Sequence, residues 1–284
     1  MLGVLFDGIA YGSLLFLVSL GLSVTMGLMN FVNLAHGAFA MAGGFVCVIA
    51  MSRFGVPFLA ALPLAFVIAA LAGAVLERLL YRRLYTAHSL DQVLFSIGLT
   101  FMSIAAATYF FGSSQQPVRL PDFLRGQVRF AGADFGIYRL FLVGAVAALT
   151  TVLGLLIART RFGAQVRAAV DDAQAARGLG IDVDRVFSIA FALGSGLAGL
   201  GGALGIEVLG LDSGFPLKFM VYFLLVVVVG GAGTIVGPLV AALVLGVLDV
   251  AGKYYVPQLG AFVIYAAMVV LLIAFPLGIR GRRR

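Results

Sequence analysis

The chain has no tryptophan, one cysteine and two histidines in 284 residues, and only 11% of it is charged. A soluble globular domain carries roughly 25% charged residues. Each scarcity closes off a class. Cys47 has no second cysteine, so no internal disulfide can form. His36 and His88 stand apart from any ligand cluster, which argues against a metal centre. No GxxxxGK[ST] run occurs, and Lys218 and Lys253 sit in other contexts, so no loop is built to cradle a nucleotide's phosphates. Alternating polar and apolar strands are missing, which speaks against an outer-membrane barrel. The segment from Met1 to Gly12 has no basic stretch ahead of its apolar residues, so a cleaved signal peptide is not expected.

What fills the chain instead is apolar: 62% of residues are hydrophobic, with a mean hydropathy of +1.13. Apolar runs lie at 3–29, 37–51, 57–80, 92–112, 136–158, 184–206, 217–230, 233–250 and 257–277. Most approach the ~20 residues that a helix needs to cross ~30 Å of hydrocarbon, and helices satisfy their own backbone groups in lipid. The expectation is an all-α polytopic membrane protein, a single transmembrane domain over 1–284 with about eight or nine crossings. Runs 217–230 and 233–250 are parted only by Gly230 to Thr234, so they read as two short crossings or one helix broken by a re-entrant turn. The 37 glycines suggest close helix contact. With no tryptophan, interfacial anchoring falls to Tyr81, Tyr85, Tyr109, Tyr138, Tyr254 and Tyr255.

The net charge of +7 sits in short loops and at the tail, a pattern of membrane orientation rather than nucleic-acid binding. Arg82 and Arg83, the loop 159–183, and Arg280, Arg282, Arg283 and Arg284 are expected in the cytoplasm. The loop at about 113–135 and the N-terminus then face outward, and 217–250 must cross twice. Arg119, Arg125 and Arg129 in the outward loop run against this rule. No internal repeat is visible.

One stretch is densely charged. Arg159, Arg161, Arg167, Asp171, Asp172 and Arg177 lie between two apolar runs. From Phe162 to Arg177, alanine, arginine and glutamine favour one helix, which Gly178 and Gly180 end. Val166, Ala169, Val170 and Ala173 give it a modest apolar face, and Arg167 can pair with Asp171 for a few tenths of a kcal/mol. The plain reading is a solvated loop that sets topology. The sharper one is a docking helix, lying along the membrane surface, for a soluble partner.

The spacing TRFGxxxRAxxDDxxAAxxxGI, Thr160 to Ile181, resembles the coupling segment of permeases in ABC importers for branched-chain amino acids. Blocks at Gly21 to Gly44, Phe191 to Gly205 and Val226 to Gly246 match the same family in the same order, and the length suits its shorter, LivH-type permease. The resemblance implies the ABC importer permease fold in a bacterial inner membrane. It implies two separate ATP-binding subunits whose cleft seats the coupling helix (about 160–181), with ATP and Mg on those chains and no cofactor on this one. It further implies a LivM-type second permease and a periplasmic substrate-binding protein, which the 113–135 loop is placed to help dock. Thr160, Gly163, Arg167, Ala168, Asp172, Ala175, Ala176 and Gly180 would be the contact or shape residues of the coupling segment. The cargo would be a branched-chain amino acid or a related small solute. Members of the superfamily also carry other amino acids, amides, urea, aromatic acids or sugars.

Two other classes compete. An ATP-independent secondary transporter would carry an ionisable relay inside its spans, but Glu77, Glu207, Asp212, Lys218 and Asp249 lie near span ends and read as interfacial. Gly194-Ser195-Gly196 superficially suggests a serine nucleophile, yet no histidine has reason to activate it. The chain is expected to catalyse no bond chemistry.

Two blocks are candidates for the transport pathway or its gate. Asn30, Asn33, His36 and Gly37 join the first two spans, and polar groups at membrane depth are costly unless paired or wet. Alternatively, Asn33 caps a helix starting near Ala35, and His36 bonds a backbone carbonyl at the interface. Gly230, Gly231 and Gly233, followed by Gly237 and Pro238, interrupt a very apolar run. A helix broken at the midplane would offer its end dipoles to an amino acid's charged groups; tight packing through Gly233-xxx-Gly237 is the alternative. Ser195-xxx-Gly199-xxx-Ala203 reads as a packing seam.

Overall fold

The structure is a computed structural model that describes residues 1–29, 31–85, 87–130, 132–275 and 278. Asn30 and the arginines from Arg280 to Arg284 lie outside the described residues. Every apolar run becomes a helix: α1 (Leu2–Met29), α2 (His36–Phe54), α3 (Phe58–Leu79), α4 (Ser89–Phe111), α5 (Ile137–Arg159), α8 (Val183–Leu209), α9 (Phe215–Gly230), α10 (Val236–Tyr255) and α11 (Gly260–Ala274). The charged stretch supplies α6 (Arg161–Asp171) and α7 (Ala173–Gly178). Among the described residues, seven helices are long and apolar enough to cross a membrane, and α9 and α11 are shorter apolar helices. The 16 residues of α9 rise only ~24 Å. The region 217–250 is thus two helices packed on each other and joined by a glycine turn. The all-α membrane architecture holds, with one short addition outside the helices. The loop after α4 holds an antiparallel hairpin, β1 (Gln127–Phe130) with β2 (Ala133–Gly136), pairing Val128 with Phe135.

Helices α1 and α8 form the buried centre and run antiparallel. Small residues make this possible: three backbone atoms of Gly194 lie within 2.7 Å of where a Gly21 Cβ would stand. The seam expected around Ser195 and Gly199 is a second close contact of α8, turned toward α2 and α3, since Gly199 meets Gly43 of α2 and Ala69 of α3. The outer helices are inverted relative to a soluble protein. Leu71, Phe101, Met102 and Val152 are all more than half exposed, a belt of apolar surface suited to lipid.

The packing also repeats itself, which the sequence did not reveal. Helix α3 runs antiparallel along α8, with Phe66 on Gly196 and Gly73 beside Ser195. Helix α10 runs antiparallel along α1, with Val247 on Gly8 and Leu243 on Gly12. Helices α2 and α9 begin against each other, Gly37 touching Pro216. Each half contributes one wholly buried acid. Glu77 in α3 accepts hydrogen bonds from Ser188 Oγ at 2.6 Å and Tyr85 OH at 2.7 Å. Asp249 in α10 accepts from Lys253 Nζ at 2.6 Å. Both side chains sit near the ends of their helices and are buried within the protein, 0% and 1% exposed. Burial and the Glu77 carboxylate together hold the Tyr85 phenol well above its usual range.

The two ends of the bundle are distinct. At one end, Gly27 of α1 abuts Gly233, Val170 of α6 approaches Gly233, and Gly278 lies against Gly231. Asp184 at the start of α8 pairs with Arg82 at 2.7 Å and Arg177 at 2.9 Å. At the other end, Phe6 meets Phe135 of the hairpin edge-on at 4.9 Å, and Asp7 pairs with Arg139. The Arg82 loop, the charged arm and residue 278 therefore share one end, and the N-terminus and the 113–135 loop share the other. Two arginines of that loop that ran against the charge rule carry carboxylate partners: Arg125 with Asp122 at 2.9 Å and Arg129 with Asp134 at 3.7 Å.

Candidate functional site

The charged arm is built by its caps. Thr160 leaves helical geometry at φ −107°, ψ 158°, and its Oγ1 accepts from Gly163 N at 3.1 Å while donating to Leu156 O at 2.6 Å. Gly163 folds α6 back onto α5 so closely that three backbone atoms of Ile157 lie within 2.6 Å of a would-be Cβ. Arg167 donates to the Ile157 carbonyl, placing a cation on the C-terminal end of α5. The Arg167–Asp171 pairing expected from their spacing is replaced by this bond. The single helix expected over 162–177 is also corrected. Asp172, at φ −158°, ψ 103°, ends α6 and caps α7, its Oδ1 accepting from Gln174 N at 2.8 Å and Ala175 N at 2.9 Å. Its amide donates to Ala168 O at 3.0 Å, so the ladder is kept while the axis turns. Ala176 is buried, and its carbonyl accepts from Ile181 N at 3.1 Å. Gly180, at φ +82°, reverses the chain toward α8, where only a residue without Cβ is at ease.

The arm's inner face is the expected apolar one: Val166 and Ala169 are buried, and Val170 and Ala173 are half-buried. Its outer face is exposed along Ala164, Gln165, Arg167, Asp171, Gln174 and Ala175. Leu179 is 81% exposed beside it. The sequence reading passed over Leu179, although a leucine bracketed by Gly178 and Gly180 has no helix face to fill. Pairing with Asp184 raises the affinity of the Arg82 guanidinium for its proton, and the same aspartate ties Arg177 of α7 to α8.

The glycine turn lies directly behind the arm rather than half-way along the bundle. Gly231 and Gly233 sit at φ +90° and +79°. Gly233 N donates to Ser23 O at 2.9 Å, and Ser23 Oγ donates to Thr234 O at 3.1 Å. The turn is thereby fastened to the last two turns of α1. Gly230 packs on Gly237 and Pro238 where α9 and α10 diverge. Tight packing, one of the two readings open for this block, describes its contacts.

The amide block is buried and mostly satisfied. Asn33 Oδ1 accepts from Ala35 N at 3.1 Å and Tyr81 OH at 3.0 Å, while its Nδ2 has no partner among the described residues. His36 Nε2 bonds Val18 O at 2.8 Å, deep in α1 rather than at an interface. The first residue of α2 is thus pinned inside the bundle, and Gly37 lets the start of α9 come alongside. The structure brings Gly233 to the charged arm, and it leaves Asn33, His36 and Gly37 in a separate interior group.

A family model described as "Branched-chain amino acid transport system / permease component" matches residues 4–272. The chain belongs to this family. Across 98% of its length it is 28% identical to the "High-affinity branched-chain amino acid transport system permease protein LivH" of Escherichia coli K12, covering 94% of that protein. It is 25% identical to the permease protein BraD of Pseudomonas aeruginosa, covering 98% of this chain and 95% of that one. The "Autoinducer 2 import system permease protein LsrC" of Salmonella paratyphi B is 31% identical over 38% of this chain and 34% of its own length. No solved structure matches the chain. A family of multi-pass membrane permeases agrees with the apolar belt and the buried small-residue centre.

Proposed function

We propose that this permease carries branched-chain amino acids or closely related solutes inward across a bacterial inner membrane, driven by two separate ATP-binding subunits. The observation that carries the reading is the arm formed by α6 and α7. It is exposed on one side, capped at both ends, and set against the glycine turn and the end of α1 on the other. Its exposed face and the Leu179 side chain would seat on the ATPase subunits, which hold ATP and Mg; this chain would bind no cofactor. The end bearing the arm would face the cytoplasm, with the C-terminus on that side, and the N-terminus and the 113–135 loop would face outward, where a periplasmic binding protein delivers cargo. A second, LivM-type permease would complete the path.

In this mechanism, closure of the ATPase pair pushes α6. Val170 passes the displacement to Gly233, and the hydrogen bonds from Gly233 N to Ser23 O and from Ser23 Oγ to Thr234 O pass it to α1. Gly230, Gly231 and Gly233 then act as the joint of an inner gate. Asn33, His36 and Gly37 hold the starts of α2 and α9 in register beside the path, with Asn30 adjoining them in sequence. The permease would assemble with its partners in proteoliposomes and take up L-leucine only with ATP inside the ATPase compartment. Solute accumulation by this polypeptide alone without nucleotide would refute the reading, as would labelling of a cysteine placed at Gln174 by an impermeant thiol reagent added outside intact cells. The segment shared with the autoinducer 2 permease LsrC supports a second cargo, autoinducer 2, and competition of leucine uptake by it decides between the two.

A further inference from the structure

The outer end of the bundle holds a polar cavity that neither the arm nor the glycine turn uses. Its volume is about 460 Å³, within the range of small-molecule sites. The 113–135 loop and the hairpin contribute part of its wall, and the start of α1, the start of α5 and the end of α8 contribute Asp7, Arg139 and Glu207. The Tyr138 hydroxyl donates to Leu204 O at 2.6 Å, tying the first turn of α5 to the last turns of α8. That bond sets the neighbouring Arg139 and Glu207 on one cavity. Arg139 is braced by Asp7, but a guanidinium has five N–H donors, and one carboxylate leaves some of them free. Glu207 has no ion-pair partner among the described residues. Arg125 and Asp134 line it as well, but each is paired within the loop, with Asp122 and Arg129, so the cavity offers one uncommitted carboxylate, Glu207, and the braced guanidinium of Arg139, with the apolar side chains of Leu120 and Val208 in the same lining.

We propose that this cavity binds the zwitterionic head of an amino acid, with Glu207 accepting from its ammonium, Arg139 donating to its carboxylate, and Leu120 and Val208 meeting its side chain. Planar guanidinium recognition of a carboxylate gives orientation as well as attraction. A weak receiving site at the outer mouth would hold cargo released by a binding protein until the path opens. The inference rests on the amino-acid cargo proposed above.

The test uses the complete transporter, both permeases with both ATPases, in nanodiscs without binding protein or ATP. Calorimetric titration compares L-leucine with 3-methylbutylamine, which lacks the carboxylate, and 4-methylpentanoate, which lacks the ammonium. Glu207→Gln should weaken leucine and the amine about tenfold or more and leave 4-methylpentanoate unchanged, since one charged hydrogen bond is removed. Arg139→Lys, which keeps the pair with Asp7, should weaken leucine and the acid but not the amine. Equal weakening of all three ligands by either variant would mean a structural effect and would overturn the site. Unchanged leucine binding, with reduced affinity only for the leucine-loaded binding protein, would make the cavity a docking surface and also overturn it. A wild-type transporter that carries solute yet binds and transports no amino acid would refute the cargo reading itself. A silent Glu207→Gln in a leucine transporter sinks the cavity site alone.

Discussion

Replacing Gly163 with alanine sets two effects of known size against each other. Alanine is the better helix former, by about 1 kcal/mol in a helix interior and less in a first turn. Where there is room, the variant should therefore be neutral or slightly more stable. At Gly163 there is none, because the new Cβ would stand within 2.6 Å of three Ile157 backbone atoms, and backbone cannot swing aside. Ordinary contact returns only if α6 retreats by about 1 Å, which also pulls Arg167 from the Ile157 carbonyl. Overpacking of this kind costs about 1–3 kcal/mol, so the balance falls against alanine by up to about 2 kcal/mol. Gly154→Ala in α5 is the control, since nothing lies within 4 Å of its Cβ position. Thermal melting of the assembled transporter, with ATP-driven leucine uptake beside it, reads both. Gly163→Ala should melt earlier than wild type and lose uptake more than it loses assembly with the second permease, while Gly154→Ala should do neither. A Gly163→Ala transporter that melts at or above wild type with full uptake would show that α6 is not seated on α5 as described.

Other substitutions separate the parts of the arm. Asp172→Ala removes the cap of α7 and should destabilise that turn by about 1 kcal/mol, seen as faster amide exchange over 173–178; Asp172→Asn should preserve it, and equal exchange in both would deny the cap. Leu179→Asp should abolish copurification of the ATPase subunits without lowering the melting temperature, because the side chain is 81% exposed; intact copurification would remove Leu179 from the interface. Gly233→Val places a β-branched residue at φ +79° against Gly27, adding at least about 1–2 kcal/mol of backbone strain. It should stall uptake while ATPase subunits still bind, and normal uptake would show that the turn does not move with the gate.

The helices were legible because an apolar run long enough for lipid has few other ways to satisfy its backbone. Their ends shifted by a few residues where no sharp cap marks them: α10 begins at Val236 and continues to Tyr255. The break at Asp172 was hidden by composition. Alanine, glutamine and arginine on both sides favour helix, so the aspartate ahead of Gln174 and Ala175 was read as lying inside one continuous helix rather than as a cap. Arg167 was matched with Asp171, four residues on, for a different reason. Its partner is a backbone carbonyl on the preceding helix, which only the fold-back at Gly163 brings within reach. The burial of Glu77 depends on Ser188, which lies 111 residues away. The outer cavity gathers Asp7, Arg139 and Glu207 from three helices, and no window of sequence contains them together.

Helix α1 touches both ends of the bundle. Its 28 residues run without proline from the outer cavity, where Asp7 braces Arg139, to the glycine turn, where Gly27 abuts Gly233. About 30 Å of rod separates those two contacts. A tilt of about 5° pivoting at Gly27 would sweep Asp7 sideways by roughly 3 Å, enough to unhook a guanidinium from its brace. Such a lever would let a nucleotide-driven nudge on one face of the membrane loosen the grip on cargo at the other, with no loop or domain travelling in between.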